Sequence, residues 1–256
     1  MICTVDVGNS NIVGGVYREA ELVAHWRLST RPYRTGDELR VTFRELLRED
    51  QIDADEIDQV VLSSVVPPVT DELRHALERL MPVTPFLVTP NSVPWLEIGT
   101  ESRNEMGPDL MANAIAGGAI ADGYVSVIDF GTAMTITTIG PRKEVLGVSI
   151  APGLAQATVA LSSGTARLPQ VALEAPPRPF GTNTVEAIQS GLVHGYAAMV
   201  EGMIARLEKH FDAPVTAIAT GGLSSIVAPL VGAISHIDPW LTLSGLRMIA
   251  EKRRAE

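Results

Sequence analysis

The chain has 256 residues, room for one large domain or two smaller ones, and its 46% hydrophobic and 20% charged content is ordinary for a globular enzyme. A formal net charge of −10 argues against non-specific nucleic-acid binding as the main task, though not against a nucleotide, which needs only a local positive or metal site. The single cysteine, Cys3, allows no disulfide or cysteine metal cluster within one chain and reads as a core residue.

Residues 2–5 are mostly β-formers and read as a buried strand. They run into Asp6-Val7-Gly8-Asn9-Ser10, a tight polar turn, and residues 12–17 read as the return strand of a hairpin. Gly8 lets a backbone approach a ligand, and Asn9, Ser10 and backbone N–H groups can donate to phosphate oxygens. Asp6 can hold a Mg²⁺ that binds the phosphates. The plainer reading is an ordinary Asx-turn hairpin.

Residues 21–28 form a third strand, and Thr35 or Asp37 caps a helix over 37–50 with Leu39, Phe43, Leu46 and Leu47 at helical spacing. A strand over 59–64, a helix over 71–80 capped by Thr70, and a strand over 85–88 continue an alternation that indicates an α/β domain. After a loop over 91–106, Gly107-Pro108-Asp109 opens a small-residue helix, 110–121, that joins two halves. Strands over 125–129, 133–139 and 144–150 follow, with Asp129-Phe130-Gly131-Thr132-Ala133 between the first two. The strand–Asp-x-Gly-polar–strand pattern thus occurs at 6 and again at 129, 123 positions on and near half-length, which suggests duplicated halves, 1–121 and 122–256, facing a cleft. A helix over 154–163, a proline-rich loop over 168–182, a long helix to about 211 capped by Asn183 or Thr184, and a strand over 215–219 ending in Thr220-Gly221-Gly222 come next. An exposed link over 236–240 and a closing helix over 241–252 complete the chain. It opens directly into a strand and has no run of about 18 apolar residues, so a cytoplasmic protein with no membrane partner is expected. None of the five histidines has metal-site spacing.

Taken in order, several segments resemble the type III pantothenate kinases, members of the acetate kinase/hsp70/actin-like superfamily. They are Asp6-Val7-Gly8-Asn9-Ser10, Trp26-Arg27-Leu28-Ser29-Thr30, Ser63-Ser64-Val65-Val66-Pro67-Pro68, Asp129-Phe130-Gly131-Thr132-Ala133, Thr165-Ala166-Arg167-Leu168-Pro169, Ala219-Thr220-Gly221-Gly222 and Asp238-Pro239-Trp240-Leu241-Thr242. The resemblance covers essentially the whole chain. It implies an α/β fold of two duplicated ribonuclease-H-like (actin-like ATPase) halves with an ATP cleft between them, a homodimer, and phosphorylation of pantothenate by ATP, the first committed step to coenzyme A.

Residue by residue, the resemblance implies that Asp6, Val7, Gly8, Asn9, Ser10, Asn11, Ile12 and Val13 form the first phosphate motif, with Asp6 serving Mg²⁺ through phosphate. It implies that Thr132 touches ATP, that Asp129 binds a monovalent cation (K⁺ or NH₄⁺), and that Gly221 and Gly222 lie at the adenosine. Asp109 takes the place of the proton acceptor, within a substrate region that includes Thr100, Gly107, Pro108 and Leu110. Thr184 matches a substrate contact near the dimer partner. Plainer readings stand beside these: Asp109 as a first-turn acid, Thr184 as a helix cap, Gly221-Gly222 as a turn.

The chain departs from the family where Gly-x-Asp-Arg becomes Gly107-Pro108-Asp109-Leu110 and where a tyrosine becomes Thr100. Thr137 and Val148 stand where the family tends to have aspartate and glycine. Arginine is the usual bidentate partner of a carboxylate such as pantothenate's, and leucine offers no donor. Three readings follow: a pantothenate kinase using other donors, with Arg103 or Arg142 as candidates; a kinase for another small hydroxyl compound; or a silent paralogue acting as a binding or regulatory, accessory-factor-like protein.

Overall fold

The computed structural model describes residues 1–99, 101 and 103–255, and Thr100 lies outside them. The elements are β1 (Ile2–Val7), β2 (Asn11–Arg18), β3 (Glu21–Ser29), α1 (Gly36–Glu49), β4 (Gln59–Ser64), α2 (Pro67–Glu78), β5 (Phe86–Leu87) and α3 (Pro108–Ile120). They continue with β6 (Tyr124–Phe130), β7 (Ala133–Ile139), β8 (Val145–Pro152), α4 (Leu154–Ser163), α5 (Thr184–Phe211), β9 (Val215–Thr220), α6 (Ser224–Val227), β10 (Ile234–Ile237) and α7 (Leu241–Arg254).

The duplication expected from the paired turns is present in the sheets. The first has the order β3-β2-β1-β4-β5, and the second, read in the same sense, β8-β7-β6-β9-β10. In each, the central strand pairs antiparallel with its hairpin partner and parallel with the strand that follows a crossover. The likeness reaches single residues. Burial follows one pattern along β1 and residues 125–130 of β6, and another along residues 11–17 of β2 and β7. In both central strands the aspartate is the half-buried residue in an otherwise buried run. This is the duplicated ribonuclease-H-like arrangement. The two turns differ by one residue, Gly8-Asn9-Ser10 in the first and Gly131-Thr132 in the second.

By internal contacts the chain divides into two compact units, Met1–Leu96 with Glu101–Ala116 and Thr242–Glu256, and Glu97–Thr100 with Gly117–Leu241. The grouping differs from a linear division after residue 121 because it parts inside α3 and gives α7 to the first unit. The packing shows why. A Cβ at Gly245 on α7 would lie 2.0 Å from the Ala112 carbonyl oxygen on α3, and Thr242 Oγ1 donates to Asn113 Oδ1 at 2.8 Å. Further along, the Arg254 guanidinium reaches Asp58 at 3.2 Å.

In the first unit, α1 starts at a Thr35–Glu38 capping box and buries Leu39, Phe43 and Leu47. Helix α2 begins at Pro67, four residues before the expected start. Proline's fixed φ suits a first helical turn, where its missing N–H costs nothing. Thr70 therefore lies inside the helix, its Oγ1 donating to the Val66 carbonyl at 3.0 Å.

In the second unit, Asn183 caps α5 by accepting from Glu186 N at 2.9 Å, and a left-handed Asp212 (φ +50°) ends it. The expected link over 236–240 instead contributes to β10, a sheet-edge strand parallel to β9. Three of its four residues are exposed, so it has no apolar pattern to read. Among the described residues no helix is long and apolar enough to cross a membrane.

The α3–α7 approach yields a direct test. Gly245→Ala should destabilise the protein by about 2–4 kcal/mol, because the backbone oxygen it meets cannot rotate away. Denaturant unfolding checks this, and a change below about 0.5 kcal/mol would show that the two helices do not sit so close.

Candidate active site

The first unit carries the Asp6 turn. Parallel pairing sets Asp6 beside Ser63 of β4, and the buried Ser63 hydroxyl donates to Asp6 Oδ1 at 2.7 Å. The carboxylate is thus oriented from within the sheet. The turn itself is tied down by Gly8 N donating to the Asn11 carbonyl at 2.9 Å and by Thr30 on both sides. Thr30 Oγ1 donates to the Gly8 carbonyl at 2.7 Å, and Thr30 N to the Ser10 carbonyl at 3.0 Å. Two carbonyls are drawn back in this way, while the side chains of Asn9 and Ser10 stand exposed at the tip. Val7 and Ile12 are buried in the core, so of the first motif they offer a ligand only backbone. Asn11 and Val13 are half-buried. Thr30, which ends the Trp26–Thr30 segment, holds the turn, and sequence reasoning gave it no role.

Asp109 belongs to the same unit, as the second residue of α3. Leu110 N donates to its Oδ1 at 2.9 Å, and a Cβ at Gly107 would fall 2.4 Å from that oxygen, so a side chain there would push the carboxylate aside. Burial raises the Asp109 carboxyl above the ordinary carboxylate range, against the opposing pull of the backbone N–H groups of Leu110 and of its own residue. Pro108, Asp109 and Leu110 are each half-buried.

The two arginines considered as replacements for the missing one are both engaged elsewhere. Arg103 donates to the carbonyls of Pro90 (2.8 Å), Leu96 (2.7 Å) and Val93, clamping the loop before α3. Arg142, in the second unit, is exposed and paired with Glu97 at 3.6 Å and Glu144 at 3.3 Å. Next to Gly107 and Pro108 lies a groove of about 480 Å³ whose polar lining comes from Ser64, Thr70, Asp71, Thr89, Asn104 and Glu105, with no lysine or arginine.

In the second unit, β-pairing puts Asp129 in register with Thr220 of β9 and Thr135 of β7. Two glycines close on the turn that follows. A Cβ at Gly153 would lie 2.1 Å from the Thr132 carbonyl oxygen, and one at Gly221 would lie 2.3 Å from Asp129 Oδ1. Gly221 also has φ +88°, a region side chains avoid, and a Cβ there would lie 2.8 Å from the Phe130 backbone. The local backbone therefore requires glycine, whatever binds nearby. Thr132 is half-buried and Gly222 exposed.

Thr184 sits apart from these, exposed at the first position of α5, where Asn183 and not Thr184 is the cap. It lines an open, largely apolar groove of about 720 Å³ with Leu161, Leu168, Ile188 and Leu192. The sequence-derived residues thus gather within the units as the Asp6 turn and the Asp109 segment in the first, and Asp129, Thr132 and Gly221 together in the second.

A 2-dehydro-3-deoxygalactonokinase structure from Sinorhizobium meliloti, described as putative, superposes with a TM-score of 0.61 at 13% identity, covering 98% of this chain and 96% of that one. That likeness shows the fold class, an α/β protein of duplicated ribonuclease-H-like halves. At the level of sequence, a family model for the type III pantothenate kinases matches residues 2–206. A protein of that name from Exiguobacterium sp. strain AT1b is 39% identical over 99% of this chain and 100% of its own length. Another from Myxococcus xanthus is 39% identical over 100% of both. The chain belongs to the type III pantothenate kinase family.

The raised Asp109 carboxyl has a consequence for stability. The folded protein keeps this proton at pH values where the unfolded chain has lost it. Stability from this group is therefore greatest below the unfolded value, about 4, and falls as pH rises through the folded one. Asp109→Asn, neutral throughout, should melt a few degrees above wild type at pH 8, the gap closing toward pH 4. Thermal melts across that range check it, and a constant gap would contradict the burial of the charge.

Proposed function

We propose that the protein transfers the γ-phosphoryl group of ATP to the hydroxyl of pantothenate, giving 4′-phosphopantothenate and ADP, as the first step of coenzyme A synthesis in the cytoplasm. The observation that carries this is Asp109, a carboxylate made more basic by burial, standing where the family has its proton acceptor. As the substrate oxygen attacks phosphorus, Asp109 takes the hydroxyl proton and the γ-phosphoryl bond to ADP breaks.

The Asp6–Val13 segment holds the phosphates through N–H groups and the exposed Asn9 and Ser10 side chains. Asp6 is the group for Mg²⁺, and a single oriented carboxylate suits a metal that takes most of its ligands from phosphate and water. Bound Mg²⁺ would neutralise charge on the phosphates. Asp129 serves a monovalent cation, K⁺ or NH₄⁺, and Thr132 with Gly221 and Gly222 serves the nucleotide. Residues 1–121 and 122–256 are the two copies of the duplication.

A homodimer completes this reading. Thr184 lies in an open apolar groove, and Phe180 and Val185 stand exposed at 59% and 45% in the same part of the chain. A second copy that covers this face would bring Thr184 to the substrate.

Pantothenate's own carboxylate lacks the family's arginine, and Arg103 and Arg142 are committed elsewhere. A coupled assay with wild type, Asp109→Asn and Leu110→Arg tests the proposal. Wild type should turn over pantothenate, Asp109→Asn should lose about 10²–10⁴-fold in kcat with ATP affinity kept, and Leu110→Arg should lower KM for pantothenate. Turnover only with a different hydroxyl compound would replace the substrate. ATP binding without turnover by any variant would favour a regulatory protein.

A further inference from the structure

We propose that Thr220 is a positioning residue for Asp129, the second-half counterpart of the Ser63 that orients Asp6. The inference rests on the reading of Asp129 as the monovalent-cation carboxylate. It begins with an asymmetry between two halves that otherwise match. In the first sheet the residue beside the aspartate on the parallel strand is Ser63, and its hydroxyl donates to Asp6 at 2.7 Å. In the second sheet the residue at the same place is Thr220, in register with Asp129. Thr220 is 1% exposed, yet its Oγ1 has no hydrogen-bond partner.

Burying a hydroxyl without a partner is costly, and a valine would fill this strand position without that cost. Two other hydroxyls of the second sheet, Ser126 and Thr137, share the condition. Position separates them. Ser126 is an odd number of residues from Asp129 on β6 and so faces the other side of the sheet. Thr137 pairs with Val127, one rung away on the same face. Of the three, Thr220 alone shares a rung with Asp129.

The carboxylate lies close against the backbone at Gly221, where a Cβ would come within 2.3 Å of Asp129 Oδ1. A threonine hydroxyl on the same rung is the nearest equivalent of Ser63 from which Asp129 can take a hydrogen bond when it turns to a cation. Thr220 then fixes the carboxylate's orientation in the loaded state, as Ser63 does for Asp6 without a ligand. Loss of such a supporting hydrogen bond weakens cation binding without removing the ligand.

The test uses the intact protein with Thr220→Val, Thr220→Ser, Ser126→Ala and Asp129→Asn, with Thr220→Ala in reserve should the valine variant not fold. Thermal shift is titrated with KCl in the presence of MgATP, with NaCl at matched ionic strength as reference, and the half-saturating K⁺ for turnover is measured alongside kcat. Thr220→Val should melt at or above wild type, because the hydroxyl it removes is unpartnered without ligand, yet need about tenfold more K⁺. Thr220→Ser should restore the K⁺ response, and Ser126→Ala should leave it unchanged. If Asp129→Asn abolishes the K⁺ response while Thr220→Val titrates like wild type, the positioning role is wrong and the Asp129 reading stands. If Asp129→Asn also titrates like wild type, the Asp129 reading falls and this proposal with it.

Discussion

A carboxylate at the end of a strand in the middle of a sheet has lost much of its water and must find hydrogen bonds within the protein. This chain meets that demand at Asp6 through Ser63, a buried hydroxyl on the adjacent parallel strand. The arrangement depends on the sheet order, because the parallel pairing of β1 with β4 in this register sets Ser63 on the rung of Asp6. The crossover after β2 and β3, the capped helix α1 and the placement of β4 therefore all serve one 2.7 Å contact. The second half repeats the order and leaves the corresponding contact open at Thr220.

Close backbone approaches fix the rest. Gly107 makes room for Asp109, Gly221 for Asp129, and Gly153 for the carbonyls of the Gly131-Thr132 turn. At each, a methyl group would intrude on a carboxylate oxygen or on the carbonyls of a turn. The glycines thus act through their neighbours, and their lack of a side chain is not in itself an opening for a ligand. Asp109 shows the opposing side of the same economy of space. Its desolvation raises basicity, as the proposed proton-acceptor role would need, and lowers stability at neutral pH.

Most of this was legible in the sequence because it is local. The strand–Asp–turn–strand unit needs only about a dozen consecutive residues, so its two copies could be matched and the duplicated fold inferred. The capping box at Thr35 and the cap at Asn183 are written in three or four residues each. What escaped depends on distant partners. Nothing within α7 says that Gly245 meets Ala112, and the mostly exposed β10 is a strand only because β9 lies beside it. The prolines at 67 and 68, left outside a helix expected over 71–80, are the first turn of α2. Arg103 and Arg142 looked free for a substrate because composition cannot show that three carbonyls and two carboxylates already hold them.

The protein is then a member of the type III pantothenate kinase family in which Asp6, the proposed Mg²⁺ group, is oriented by a serine hydroxyl inside the sheet and the turn after it is held by Thr30. Calorimetric titration of MgATP into wild type and Ser63→Ala tests that claim most directly. The account requires wild type to bind, and Ser63→Ala to keep its melting temperature within a few degrees while binding MgATP about tenfold more weakly. Equal affinity in the two proteins would contradict it, since Asp6 would then need no hydroxyl to point it at the metal-bound phosphates.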